Sequence, residues 1–162
     1  MSVQGFWRKP DEGDGIWLLG GLYTFKIRGR ETANAFSLIE VQGLVASPRH
    51  LHEREDEGFY VVDGEVTFAI GDEMIEGTAG TSAFVPRGVE HAFKIKSPDT
   101  KLLLLLTPGN AGHEEMFTEM GEPAATHAVP SPPSDPPNIE RLATIAARHG
   151  TTIVGPPIGM DG

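Results

Sequence analysis

Between residues 16 and 107, short apolar runs alternate with glycine-containing turns. The clearest runs are YTFKIRG, AFSLIEVQGL, FYVVDGEVTFAIGD, TSAFVPRG, HAFKIKS and KLLLLLTPG. They are rich in Val, Ile, Phe, Tyr and Thr, and no long helical period separates them, which is typical of a β-sandwich or β-barrel. The pattern therefore predicts an all-β domain.

The segment FYVVDGEVTFAI has the strongest local pattern. Asp63-Gly64 is a two-residue turn signal, so we predict a hairpin in which Val61 pairs with Val66 and Phe59 with Phe68. Strand alternation places one set of side chains on its apolar face: Phe59, Val61, Val66, Phe68 and Ile70. Glu57 has the parity of this face, so a carboxylate is expected to point inward.

After Gly109 the pattern changes. GHEEMFTEMG predicts a short helix, EPAATHAVPSPPSDPPN an irregular proline-rich connector, and IERLATIAARHG a second helix that ends at a glycine. The final TTIVGPPIG indicates an ordered tail or a partner contact. We thus predict a β-barrel over residues 1–109, a helix packed on it over 110–121, and a connector, helix and tail over 122–162.

Composition narrows the chemistry. A chain of 162 residues with 39% hydrophobic residues is long enough for one core. The absence of cysteine excludes disulfides, thiolate metal sites and a cysteine nucleophile. Any metal must therefore be bound through nitrogen and oxygen atoms.

Charge and hydropathy indicate where the protein works. With 13 Lys and Arg against 23 Asp and Glu, the net charge of −10 repels nucleic acids and anionic membrane surfaces. The N-terminal residues lack the apolar region of a signal peptide, and LLLLL at residues 102–106 is too short to cross a bilayer. We predict a cytoplasmic protein without nucleic-acid or membrane partners.

A metal site is indicated by RHLHEREDE, residues 49–57, together with a later histidine. In a strand, His50 and His52 point to the same side about 7 Å apart, close enough to share one ion. His91 opens the strand HAFKI after a Pro-Gly turn and faces the interior, where its nitrogens need partners. Alone, the first pair is more often a surface feature, and His91 is more often a hydrogen-bonded core residue.

Taken together, these residues resemble the two motifs of the cupin family. The first motif, a glycine followed by HxH, Glu and Gly, is matched by His50, His52, Glu57 and Gly64. The second, G-x5-P-x-G-x2-H-x3-N, is matched by Gly80, Pro86, Gly88 and His91. Gly43 lies one residue early and Ile95 replaces the final Asn, and neither position is a ligand in the family.

The resemblance implies a double-stranded β-helix, or jelly-roll barrel, with a C-terminal helical extension. It also implies a divalent metal bound by His50, His52, Glu57 and His91. Iron is our first choice, and nickel, manganese, cobalt, copper and zinc remain open because nitrogen and oxygen ligands accept them all. For His113, His127 and His149, on helices or in the connector, we expect no functional role.

Within the cupins, the chain resembles single-domain quercetinase-related proteins. This implies a dioxygenase that opens a flavonol or a similar enol-bearing aromatic with O₂, with Glu57 both binding metal and taking the substrate's hydroxyl proton. The alternatives are a diketone dioxygenase, an isomerase of enolisable ketones, or a non-catalytic ligand-binding cupin. The resemblance also implies a homodimer, for which the apolar run GIWLLGGLYTFKI is a candidate contact.

Overall fold

Two antiparallel sheets face each other in the structure, a computed structural model that describes residues 2–160. Residues 1, 161 and 162, at the outer ends of the first and last predicted segments, lie outside the described residues. The strands are β1 Asp14–Leu18, β2 Gly21–Ile27, β3 Ser37–Gln42, β4 Pro48–His52, β5 Asp56–Asp63, β6 Glu65–Ile70, β7 Glu73–Thr78, β8 Ser82–Val85, β9 His91–Ile95, β10 Lys101–Thr107, β11 Glu122–Pro123 and β12 Thr151–Pro157. The α-helices are α1 His113–Met120 and α2 Ile139–Arg148.

The core lies between the inner faces of the two sheets. The larger sheet has the order β11-β1-β2-β3-β10-β5-β8, and the smaller has the order β12-β4-β9-β6-β7. Branched and aromatic side chains at alternate strand positions fill the space between them, including Phe25, Ile39, Val41, Val61, Val66, Phe68, Leu102 and Leu104. The all-β prediction is confirmed.

The predicted hairpin between β5 and β6 is wrong. β5 pairs with β10 and β8 in the larger sheet, whereas β6 pairs with β7 and β9 in the smaller sheet. The chain passes from one sheet to the other at Gly64, which has a φ of 84°. Phe59 and Phe68 still meet, but across the interior, with ring centroids 5.2 Å apart.

The C-terminal part contributes both helices and an edge strand. Phe117 of α1 and Ile145 of α2 are buried, whereas Ile139 at the start of α2 is 63% exposed. The connector between the helices is irregular apart from the two residues of β11, which pair with β1. The predicted ordered tail is β12, which pairs with β4 in the smaller sheet.

The apolar N-terminal run packs into the chain's own core. Ile16, Leu18, Tyr23 and Phe25 are buried, and the outer edge of β1 is covered by β11. The side chain of Trp17 donates a hydrogen bond to the carbonyl of Ala128 at 2.9 Å. Neither α-helix within residues 2–160 has the length and apolar character needed to cross a membrane.

Candidate metal centre

Three histidines come from two neighbouring strands of the smaller sheet. His50 and His52 lie two residues apart on β4, and both side chains point into the barrel, where they are 8% and 2% exposed. The register of the sheet places His50 directly opposite His91 on β9. Because these positions belong to paired strands, the backbone ladder fixes the separation of the imidazoles.

Glu57 reaches the same point from the opposite sheet. It lies on β5, between Leu106 of β10 and Val85 of β8, and is 2% exposed. Its Oε2 atom lies 2.9 Å from Nε2 of His91 and 3.4 Å from Nε2 of His52. The carboxylate therefore joins the two sheets at this cluster.

The structure brings together all four residues that the sequence singled out. One donor atom from each of His50, His52, Glu57 and His91 lies within 4.8 Å of the others. Nε2 of His50 is also 3.1 Å from Nε2 of His52. Four nitrogen and oxygen atoms thus converge on one buried point.

Backbone carbonyls fix the tautomers of two imidazoles. Nδ1 of His50 lies 2.7 Å from the carbonyl oxygen of Pro48, and Nδ1 of His91 lies 2.9 Å from that of Val89. A carbonyl oxygen only accepts, so each Nδ1 carries the proton. In the neutral form of each ring, Nε2 therefore carries no proton, and its lone pair points into the cluster.

Burial controls the charge of the cluster. Desolvation, together with repulsion from His91, lowers the pKa of His50 to about 3, and desolvation lowers the pKa of His52 further. Desolvation also raises the pKa of Glu57, although the contact of its carboxylate with His91 acts in the opposite direction. For His91, burial acts to lower the pKa, but the contact with Glu57 prevails and raises it.

The donor set fits a divalent cation. Lone pairs of His50 and His91 and a carboxylate of Glu57 converge within hydrogen-bonding distance, an arrangement that concentrates negative potential where no solvent screens it. A cation at this point would satisfy all of them at once. Nitrogen and oxygen donors of this type suit Fe, Mn, Co, Ni, Cu and Zn.

Glu55, which the sequence did not single out, and His113, for which no functional role was expected, lie beside this cluster. Ligand atoms of His52, Glu55 and His113 lie within 4.8 Å of one another, and Glu55 and His113 are 1% and 4% exposed. Glu55 lies just before β5, in a run of charged residues where strand alternation gives no signal of burial. No local signal marks His113, because its position depends on how α1 packs against the sheets.

The other predicted positions lie apart from the four-residue cluster. His127 is exposed in the connector, and His149 bonds Glu119 with Nε2 2.7 Å from Oε2. Phe84 is 65% exposed on the outer face of the larger sheet and does not face the cluster.

Aromatic rings surround the cluster on the inside. Phe59 lies 6.2 Å from His91 between ring centroids, and the His113 ring lies 4.6 Å from that of His52. Phe117 contacts both His113 and Tyr23, with centroid distances of 4.5 and 4.7 Å. The helix α1 therefore covers the His52 side of the cluster with the ring of His113, and Phe117 packs behind that ring.

Comparisons with known proteins identify the family that this part of the chain matches. Residues 37–108 match the family model described as a cupin domain. The chain is 29% identical over 126 residues to quercetin 2,3-dioxygenase of Bacillus subtilis (strain 168), covering 76% of this chain and 37% of that protein. It is 32% identical over 124 residues to quercetin 2,3-dioxygenase of Aspergillus japonicus, covering 68% and 35% respectively.

The chain thus spans about a third of the length of these two relatives. Among solved structures, an RmlC-like cupin from Shewanella frigidimarina superposes with a TM-score of 0.53 at 20% identity, covering 68% of this chain and 96% of that one. At this level of identity the likeness concerns the fold alone.

Proposed function

Since this chain belongs to the cupin family and has its jelly-roll fold, we propose that it is a metal-dependent dioxygenase that opens a flavonol or a similar enol-bearing aromatic with O₂. The observation that carries this proposal is the convergence of His50, His52, Glu57 and His91 on one buried point. The quercetin dioxygenases among its relatives support the substrate class.

Four side chains would hold the metal. We assign this role to Nε2 of His50, His52 and His91 and to Oε2 of Glu57, the atoms that face one another in the structure. Iron is our first choice, and nickel, manganese, cobalt, copper or zinc would also suit these donors. When bound, the metal supplies Lewis acidity toward a substrate oxygen and, if redox-active, electron exchange with dioxygen.

Glu57 has a second role in the proposal, as the general base. Burial raises the pKa of its carboxyl group, which makes the carboxylate a stronger proton acceptor than an exposed glutamate. Its Oε2 atom lies between His91 and His52, where a substrate hydroxyl would come to rest. We propose that this atom takes the hydroxyl proton and that the anionic substrate oxygen remains beside the cluster.

The interior of the barrel suits a flat aromatic substrate. Phe59, Phe93 and Phe117 are buried in the interior, and the ring of Phe59 lies 6.2 Å from that of His91 between centroids. Apolar aromatic walls of this kind suit aromatic ligands and exclude water. A phosphorylated sugar would bring charge that this apolar wall does not match. The wall therefore favours the flavonol class over polar substrates.

Oxygen uptake tests the proposed reaction. The protein is purified anaerobically, its metal is identified by elemental analysis, and each reconstituted metal form is assayed in an oxygen electrode against flavonols and β-diketones. We expect uptake that depends strictly on a flavonol. Metal-loaded protein that turns over a ketone without consuming O₂ would instead identify an isomerase, and uptake only with β-diketones would identify a diketone dioxygenase.

The homodimer remains a prediction, but the expected contact surface is no longer the N-terminal apolar run. Most apolar side chains of the N-terminal run, among them Ile16, Leu18 and Phe25, are buried within the chain and are not available to a partner. Three of the large apolar side chains that remain exposed, Tyr60, Phe84 and Leu105, share the outer face of the larger sheet on β5, β8 and β10. Light scattering coupled to size-exclusion chromatography, with Phe84→Glu as the test variant, measures whether this face associates.

A further inference from the structure

His52 differs from the other two histidines of the metal centre in what its second ring nitrogen contacts. Nδ1 of His50 and Nδ1 of His91 each donate to a backbone carbonyl. Nδ1 of His52 is buried and has no hydrogen-bond partner among residues 2–160. If Nε2 of His52 faces a metal, as the proposed function requires, the neutral ring must carry its proton on this unpartnered Nδ1.

An unpartnered acceptor lies in the same cluster. Glu55 is 1% exposed, and its Oε1 atom accepts a hydrogen bond from the backbone N–H of His113 at 3.0 Å. Its Oε2 atom has no partner within the described part of the chain. Because buried polar atoms are almost always paired, an orphan donor beside an orphan carboxylate oxygen points to a contact between them.

We propose that Glu55 is a positioning residue, which accepts the Nδ1–H of His52 through Oε2 and thereby keeps Nε2 of His52 bare toward the metal centre. One ligand atom of His52 lies within 4.8 Å of a carboxylate oxygen of Glu55, so a side-chain rotation or one bridging water would complete the contact. This inference rests on the metal centre of the proposed function and adds a residue outside its four ligands.

His113 is the competing acceptor, and the chemistry favours Glu55. Nδ1 of His113 is also buried without a partner in residues 2–160. A carboxylate accepts roughly twice as strong a hydrogen bond as a neutral group. His113 instead fixes Glu55, because its backbone N–H holds Oε1 and so directs Oε2 at the cluster.

Glu55→Gln isolates this role. A glutamine has the same size, and its amide oxygen can still accept from the N–H of His113. Its NH₂ group then faces Nδ1 of His52 and donates to it, which favours the tautomer with the proton on Nε2. The matched control is Glu53→Gln, the same change on an exposed side chain two residues away.

The test measures Zn²⁺ affinity by competition with a chelator and the His52 tautomer by long-range ¹H–¹⁵N correlation of the zinc-loaded protein. We expect Glu55→Gln to weaken Zn²⁺ binding by about 10- to 100-fold, while Glu53→Gln binds like the wild type. In the wild type, we expect a protonated Nδ1 on His52 that exchanges slowly with solvent, and faster exchange in Glu55→Gln.

Both measurements are made without substrate or O₂, so they separate this inference from the proposed reaction. Unchanged Zn²⁺ affinity and unchanged exchange in Glu55→Gln would overturn the role of Glu55 and leave the dioxygenase proposal standing. If Glu55→Gln does not fold, the wild-type spectrum decides, because a rapidly exchanging Nδ1 proton contradicts the contact. A wild-type protein that binds no Zn²⁺ would overturn both.

Discussion

His50 and His91 face each other directly across two neighbouring antiparallel strands, with ring centroids 4.4 Å apart. Their separation is therefore set by the hydrogen-bonded ladder and not by a loop. Each ring is further fixed by its own backbone carbonyl, two residues earlier in the chain. This half of the centre is thus rigid before any ligand arrives, which lowers the entropy lost on binding.

Replacing His91 by glutamine removes one of the bare Nε2 atoms. We expect His91→Gln to lower the metal affinity at least tenfold, because three donors remain where the site needs four. Elemental analysis after gel filtration measures the metal content. The control is His127→Gln in the exposed connector, which should keep the wild-type content; equal loss in both variants would contradict the assignment.

Replacing Glu57 by glutamine separates binding from proton transfer. The amide oxygen can still act as a weak ligand, but it cannot accept a proton from the substrate. We expect Glu57→Gln to retain part of its metal and to lose O₂ uptake by about 10²-fold or more, the range of general base catalysis. Glu73→Gln, on the exposed start of β7, is the control. Undiminished uptake in Glu57→Gln would exclude the role as base.

Acid should destabilise the metal-free protein through its buried histidines. Burial lowers the pKa of His50 and of His113 to about 3. At pH values between this and the ordinary histidine pKa, these side chains are protonated in the unfolded chain but neutral in the folded chain. Glu55 acts in the opposite direction between pH 4.5 and 7, because burial raises its pKa to about 7. Below pH 4.5 Glu55 no longer contributes, and the free energy of unfolding should fall by about 1.4 kcal/mol per pH unit for each histidine that stays neutral in the folded chain. Carboxylates such as Glu31, whose pKa is lowered by its hydrogen bond with Arg8, add to this loss.

Urea unfolding of metal-free protein at pH 7, 4.5 and 3.5 measures this dependence. His113→Phe keeps an aromatic ring beside Phe117 and removes one of the titrating groups. Below pH 4.5 the unfolding free energy of the variant should therefore fall less steeply with pH than that of the wild type, and the slopes should differ by the contribution of one bound proton. An identical acid dependence in the variant and the wild type would show that His113 does not take part.

Gly64 should be far more sensitive to substitution than Gly88. Both have positive φ angles, 84° and 83°. A Cβ on Gly64 would lie 2.6 Å from the Cα of Thr100, whereas a Cβ on Gly88 meets nothing within 4 Å. We expect Gly88→Ala to lower the free energy of unfolding by about 1–2 kcal/mol and Gly64→Ala by at least about 3 kcal/mol, because overpacking adds to the backbone strain.

Urea unfolding at neutral pH measures both glycine variants. Equal losses would mean that the backbone at Gly64 moves away from Thr100 at little cost.

Alternation in the sequence predicted which face each strand buries, but not which strand it pairs with. The inward parity of Glu57 and Phe59 is fixed by the pleat and is the same in a hairpin as in a crossing between sheets. The Asp63-Gly64 pair favours a tight turn in either case. The pairing of β5 with β10 and β8 shows that β5 belongs to the larger sheet, and its contact with β10 joins residues 38 to 51 positions apart.

The four central residues could be predicted because their spacing follows strand geometry and family motifs. Glu55 and His113 could not, for two different reasons. Glu55 lies in a run of charged residues whose composition is typical of a solvated turn, although its side chain is buried. His113 meets His52 only because α1 folds back over the barrel, a tertiary contact that leaves no periodic trace in the chain.

The strand β12 joins the far end of the chain to the strand that carries two of the donors. Thr151 pairs with His52 and Ile153 with His50, while residues 131–138, which lead back to α2, are exposed. Loading the ion and docking the tail should therefore reinforce each other. A single proteolytic cut within residues 131–138 should therefore leave the metal-loaded protein folded, because β12 stays paired with β4. The same cut should unfold the metal site of the metal-free protein, because its C-terminal fragment can dissociate.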